Sequence, residues 1–269
     1  MKVLAVDYDG VIVDSVMDSL FVSHNAYLRL FGTAQRQKFG GELFTFQSWP
    51  IILKKYEKEM HYYRSLRPYI RGATDYGLIQ KLMEEGKTVQ NQQEFDQYRE
   101  TVMFDFQNFH DAFYQERQRL QQDNFEGWLS LEPPYAEVVR GIQKFYREGV
   151  KVMIATSNRR EYIARTFYPQ YYNIPVEADD ILDFRFGEDK SSQMHHICDK
   201  YGVNYQDIYF VDDQLAHLEQ TQNLGINVFL AGWSYATGQQ KKDAQARGIP
   251  VIEREEDFYP KIKEYLVKN

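Results

Sequence analysis

Asp7 and Asp9 stand one residue apart after an apolar run, Val3 to Val6, and are followed by Gly10. Two like charges this close raise each other's pKa, and burying either is costly without a partner. Further chain segments supply candidates. Thr156, Ser157 and Asn158 follow the run "KVMIA", Lys190 follows "DFRFG", and Asp212 and Asp213 close "IYFV". Open α/β sheets bind ligands beyond the carboxyl ends of their strands, at a topological switch point. With these runs as strands of one sheet, four carboxylates, a hydroxyl and an ammonium gather at one end of it. Four carboxylates in one site repel unless a hard cation lies among them, and oxygen-only ligands suit Mg²⁺. Lys190 supplies a second positive charge. A carboxylate compensated in this way stays ionised and can act as a nucleophile, as in covalent aspartyl-phosphate chemistry.

The elements that must hold these residues fall into two regions. From about residue 133 to the end, the runs "VKVMIATS", "DFRFG", "IYFVDD" and "NVFLAG" alternate with helical patterns. That alternation predicts a parallel sheet with crossover helices, and the opening strand, residues 3–9, belongs with it. Residues 16–132 contain no strand pattern and read as helices. The stretch "NQQEFDQYRETVMFDFQNFHDAFYQERQRL" carries Phe95, Tyr98, Val102, Phe106, Phe109 and Phe113 at spacings of three and four, and Asn91 with Glu94 gives it a capping box. Asp14 and Ser15, with Asp18, read as the cap of a preceding helix. Pro133-Pro134 marks the return to the sheet. The expected fold is α/β: a Rossmann-like parallel sheet flanked by helices, residues 1–15 and 133–269, with an all-helical domain, residues 16–132, inserted after the first strand.

Composition narrows the function classes. The 269 residues are 43% hydrophobic, enough for a full core. A net charge of −7 and a pI near 5.5 argue against nucleic-acid or membrane-surface binding. The single cysteine, Cys198, excludes an intramolecular disulfide and points to a reducing compartment. No apolar run approaches the roughly 18 residues of a membrane span, and Asp7 and Asp9 interrupt the first one too early for a signal peptide. A cytoplasmic protein is expected. Nothing in the pattern sets an oligomeric state.

The segment "VDYDGVIVDS" resembles the first motif of the haloacid dehalogenase-like hydrolases, an Asp-x-Asp-Gly sequence. "VMIATSN" is similar to their second motif, Lys190 in "GEDKSSQMHHICDKYGV" to the third, and "IYFVDDQLAHLEQTQNLGI" to the fourth. The tail from Asn227 resembles phosphoglycolate-phosphatase-like members, and the acidic pair resembles β-phosphoglucomutase-like ones. The resemblance implies that Asp7 attacks phosphorus, and that Asp9 first protonates the leaving oxygen and then deprotonates water. Thr156 would bond the phosphoryl group. Ser157 and Asn158 would help bind substrate, with Asn158 and Glu161 capping the next helix. Lys190 would offset charge, while Asp7, the Asp9 carbonyl, Asp212 and Asp213 would hold Mg²⁺. An acid at position 9, where family dehalogenases have Tyr, points to phosphate esters. The inserted helices would be an enlarged cap, and Arg67 and Arg71, beside a helix break, are its candidate substrate contacts. The fourth motif departs from the family pattern: Asp212 replaces a Gly, and His217 a later Asp.

The expected activity is thus a Mg²⁺-dependent phosphatase acting on a small phosphorylated metabolite. A phosphomutase using the same aspartyl phosphate is the nearest rival. A weakly catalytic binding protein on the same fold is a more distant one.

Overall fold

The computed structural model describes residues 1–32, 39–187 and 189–268. They form two compact units. One comprises Met1–Asp14 with Pro133–Asn269, and the other Ser15–Glu132.

The first unit is built on six parallel strands: β1 (Val3–Val6), β2 (Lys151–Ala155), β3 (Ile181–Leu182), β4 (Ile208–Asp212), β5 (Asn227–Ala231) and β6 (Val251–Ile252). Their spatial order is β3-β2-β1-β4-β5-β6. Every residue of β1 and β4 is buried, so both read as unbroken apolar runs rather than alternating ones. Chain order reverses at β1, which pairs with β2 on one side and β4 on the other. The carboxyl end of β1 is therefore the switch point, and Asp7 is the next residue.

The second unit holds helices α1 (Val16–Phe31), α2 (Trp49–Lys55), α3 (Glu57–Leu66), α4 (Ala73–Glu85), α5 (Gln92–Thr101), α6 (Phe106–Asp123) and α7 (Phe125–Leu129). Their core is aromatic: Phe21, Tyr63, Phe95, Phe109, Phe113 and Trp128 are all but fully buried. Each such side chain contributes about 1.5–3 kcal/mol when removed from water. The unit also holds a buried ionic group. Arg117 of α6 pairs with Asp18 of α1, Trp128 Nε1 donates to the other Asp18 oxygen at 2.9 Å, and Glu132 lies 3.7 Å from the same guanidinium.

The remaining helices flank the sheet: α8 (Ala136–Arg147), α9 (Arg160–Thr166), α10 (Lys190–Tyr201), α11 (Leu215–Gln222), α12 (Gly238–Ala246) and α13 (Phe258–Lys268). In α8 the buried Val138, Val139, Ile142 and Phe145 recur at helical spacing and make one apolar face. Among the described residues, no helix is long and apolar enough to cross a membrane.

Three local readings need correction. The long aromatic helix is two helices, broken between Thr101 and Phe106, and Asp105 starts the second by accepting the Asn108 N–H at 3.2 Å. "DFRFG" is not a strand: β3 is the preceding Ile181–Leu182, and Phe184–Phe186 is a short 3₁₀ turn held by the Asp183 carboxylate. Ser15, at the start of α1, makes no side-chain cap there. The Asp14 carboxylate accepts the Tyr235 hydroxyl at 2.8 Å, and Asp18 is taken by Arg117 and Trp128.

Candidate active site

Asp7 is carried past the end of β1 by one more ladder bond, its N–H donating to the Val211 carbonyl at 3.0 Å. The backbone then turns sharply. The Tyr8 carbonyl accepts from Ile12 and Val13, and Gly10 donates back to Val13 at 2.8 Å. Gly10 has φ +80°, a left-handed conformation that side chains disfavour. A Cβ on it would stand 2.7 Å from the Asp213 carboxyl carbon and 2.8 Å from the Tyr235 ring. A glycine is thus required twice: for the turn, and for the close approach of the loops after β4 and β5.

Lys190 is the first residue of α10, whose start is fixed by the Asp189 side chain accepting the Ser192 N–H at 2.7 Å. Its Nζ donates to Asp7 Oδ1 at 2.9 Å and to the Ala155 carbonyl at 2.6 Å, and lies 3.8 Å from Asp212 Oδ2. Lys190 and Asp7 are both buried. Burial pushes the Asp7 carboxyl up to about 6, against the pull of Lys190 and with the push of Asp212 and Asp9. Burial works to lower Lys190, but Asp7, Asp212 and Asp213 outweigh it and hold the ammonium above its ordinary range.

Asp212, fully buried, closes β4. It accepts the Gln214 N–H at 2.8 Å, and His217 Nδ1 lies 3.1 and 3.3 Å from its two oxygens. An ionised carboxylate only accepts, so Nδ1 carries the proton. Burial opposes the charge on Asp212, yet His217, Lys190 and the Gln214 N–H hold it below the usual carboxylate range. Burial would lower His217, but Asp212 raises it. Ligand oxygens of Asp7, Asp212 and Asp213 all lie within 4.8 Å of one another.

On the other side of β1, Thr156 is anchored by its N–H to the Leu182 carbonyl at 2.8 Å. Its Oγ1 accepts the Asn158 N–H at 3.0 Å, which leaves the hydroxyl proton available to a ligand oxygen. The Asn158 amide approaches Asp9 Oδ2 at 3.5 Å, whereas Ser157 is exposed. The expected Asn158–Glu161 capping box is absent: the N–H of Arg160 goes to Asp183 at 3.0 Å, and Glu161 pairs with Arg185. Asp183, distant in sequence, took the place of the local cap.

The structure thus brings Asp7, Lys190, Asp212 and Asp213 together, and links Asp9 to Asn158 and Thr156. Arg67 and Arg71 belong to the helical unit. Arg71 makes two bonds to Asp96, at 2.8 and 2.7 Å, near the surface. Arg67 is buried, its guanidinium 5.8 Å from the Tyr76 ring centroid. Sequence reading missed the positioning role of three residues. Gln193, one helical turn beyond Lys190, donates to the Thr156 carbonyl at 3.0 Å and the Leu182 carbonyl at 3.2 Å, tying two strand ends together. Tyr235 packs on Gly10, and His217 grips Asp212. The i, i+3 spacing to Lys190 was the one signal for Gln193.

A family model of haloacid dehalogenase-like hydrolases matches residues 1–220. No curated protein matches the chain. Several solved structures do. A protein assigned as a phosphoglycolate phosphatase from Lactobacillus delbrueckii subsp. bulgaricus is 12% identical, with a TM-score of 0.64 over 97% of this chain and 99% of its own. A predicted phosphoglycolate phosphatase from Haemophilus somnus 129pt is 14% identical, with a TM-score of 0.58 over 98% of both chains. A protein assigned as a β-phosphoglucomutase from Thermotoga maritima is 15% identical, with a TM-score of 0.52 over 98% of this chain and 99% of its own. At these identities the likeness is one of fold.

Proposed function

The chain belongs to the haloacid dehalogenase-like hydrolases, and we propose that it is a phosphatase, hydrolysing a small phosphorylated metabolite through a phosphoryl group carried on Asp7. The observation that carries this reading is the pairing at the switch point. A buried carboxylate is held by a buried ammonium at 2.9 Å, with a second acid, Asp9, two residues on. A buried ion pair of this kind is costly as architecture alone and suits an anionic nucleophile that must meet an anionic substrate.

Asp7 attacks phosphorus with one carboxylate oxygen, and the bond from phosphorus to the substrate oxygen breaks. Asp9 gives its proton to that oxygen. Asp9, now ionised, removes a proton from water. The water oxygen bonds to phosphorus, the bond to Asp7 breaks, and inorganic phosphate leaves. Lys190 neutralises charge on Asp7 and the phosphoryl oxygens, and the Thr156 hydroxyl donates to one of them.

The donor set fits a hard dication. It is oxygen-only and buried, with its ligand oxygens within 4.8 Å of one another. Mg²⁺ held by Asp7, the Asp9 carbonyl, Asp212 and Asp213 would supply the positive charge that keeps these acids ionised beside a phosphate. We assign the helical unit, residues 16–132, as a cap that selects the substrate. Within it Arg67 and Arg71 are the candidate substrate contacts, and the pairing of Arg71 with Asp96 weakens its claim. The setting is cytoplasmic, with no nucleic-acid or membrane partner.

Hydrolysis of p-nitrophenyl phosphate with and without Mg²⁺ tests the reading. Release of nitrophenol that depends on Mg²⁺ and is lost in Asp7→Asn supports it, and undiminished release by folded Asp7→Asn refutes it. A panel of phosphorylated metabolites then gives the substrate. The adjacent acids Asp212 and Asp213 favour the phosphomutase as second reading, and an isomerisation assay on hexose phosphates with a bisphosphate activator separates the two.

A further inference from the structure

We propose that His217 is a positioning residue for the cation site, holding the Asp212 carboxylate in one orientation so that it serves the ion without competing with Asp213 for it. The inference rests on the cation reading above and concerns how this chain departs from the usual fourth motif.

Three groups face the Asp212 carboxylate. The backbone N–H of Gln214 takes Oδ1 at 2.8 Å, Lys190 of α10 approaches Oδ2 at 3.8 Å, and His217 of α11 spans both oxygens at 3.1 and 3.3 Å. His217 is partly open to solvent, with its side chain 24% exposed, while Asp212 is fully buried. The imidazole therefore stands on the outer side of the carboxylate and closes it off there. This is the familiar arrangement in which a second residue orients a metal ligand, with the roles exchanged: here an imidazole steadies a carboxylate. The hydrogen bonds from Gln214 and His217 fix the carboxylate and occupy part of its lone-pair capacity, while the Lys190 ammonium adds only charge at 3.8 Å. The carboxylate can still accept from a metal-bound water. The neighbouring Asp213 takes the direct position, beside Asp7. Without His217, Asp212 would be held only by Gln214 and Lys190, and could swing toward Asp7 and Asp213, where like charge repels it.

The test is direct binding of Mn²⁺, followed by electron paramagnetic resonance of the free ion and displaced by Mg²⁺. Wild type is compared with His217→Ala, His217→Leu and His217→Asn, each checked for fold by far-UV circular dichroism. Asparagine places its amide nitrogen one atom beyond Cγ, as Nδ1 is placed in histidine, and so keeps the donor. Leucine keeps bulk without one. Loss of an orienting partner costs about 10–100-fold in metal affinity, so His217→Ala and His217→Leu are expected to bind at least about tenfold more weakly. His217→Asn is expected within about threefold of wild type. Equal or tighter binding by the alanine and leucine variants would overturn the inference while leaving the cation reading standing. So would an asparagine variant as weak as leucine. Absence of Mn²⁺ and Mg²⁺ binding in wild type would overturn the cation reading and this inference together.

Discussion

His24 should make the helical unit acid-sensitive in a pH range where carboxylates are still ionised. The side chain is fully buried, stacked on Phe44 at 3.9 Å and edge-on to Phe39 at 5.8 Å. Its Nε2 lies 2.9 Å from the Glu42 carbonyl, so Nε2 donates, and Nδ1 is buried with no acceptor among the described residues. A proton on Nδ1 would be a buried charge with nowhere to donate. Burial accordingly pushes the pKa down to about 4, with the Glu42 carbonyl pulling slightly back. In the unfolded chain the value returns to about 6.5. The unfolded state therefore binds more protons between these limits, and stability falls as pH drops through 6.5 and levels off below about 4. Linkage gives a loss of about 2 kcal/mol at pH 5 relative to pH 7.5, and about 3 kcal/mol once the folded-state group also titrates. The matched variant is His24→Gln, whose amide can still reach the Glu42 carbonyl but does not titrate. Urea unfolding read by tryptophan fluorescence suits the purpose, because Trp49 and Trp128 both lie in the helical unit. Wild type should lose about 2 kcal/mol more than His24→Gln between pH 7.5 and pH 5. An equal loss in both proteins, or an NMR titration placing His24 near 6.5, would refute the reasoning.

Other outcomes follow from the same geometry. Gly10→Ala should lower stability by about 1–2 kcal/mol for the left-handed backbone, and should cut activity by displacing Asp213; thermal melts and kcat together check this. Arg117→Met leaves Asp18 and Glu132 buried without their guanidinium, and should cost about 3–5 kcal/mol in denaturant unfolding. Arg71→Ala breaks a half-exposed pair worth under about 1 kcal/mol and should leave KM near wild type. Arg67→Ala should raise KM clearly, measured on the metabolite that the panel identifies.

Much of the sheet was legible because burial on both faces writes itself as unbroken apolar runs. β1, β2, β4 and β5 are such runs, and Asp7, Thr156 and the Asp212–Asp213 pair stand at the ends of three of them. Harder to see were features set by residues far apart in the chain. The break in the aromatic helix was hidden because Tyr98, Val102 and Phe106 keep helical spacing across it; Asp105 followed three residues later by Asn108 was the missed sign of a restart. Phe184 and Phe186 alternate as in a strand, yet Asp183 turns the chain there. The same Asp183 displaced the cap expected from Asn158. In the sequence His217 stands out only as a replacement for a later Asp of the family's fourth motif. Its real partner, Asp212, lies five positions back at the end of a strand, a spacing no helical pattern marks.

The central claim is that Asp7 carries the phosphoryl group, and the most direct measurement looks for it there. Wild type turning over p-nitrophenyl phosphate with Mg²⁺ is quenched in acid, which preserves acyl phosphates, and digested for peptide mass spectrometry. A phosphoryl group on Asp7, absent from Asp7→Asn and from enzyme quenched without substrate, is the predicted result. Phosphate release by wild type with Asp7 unlabelled under single-turnover conditions, and with Asp7→Asn retaining that activity, would contradict it.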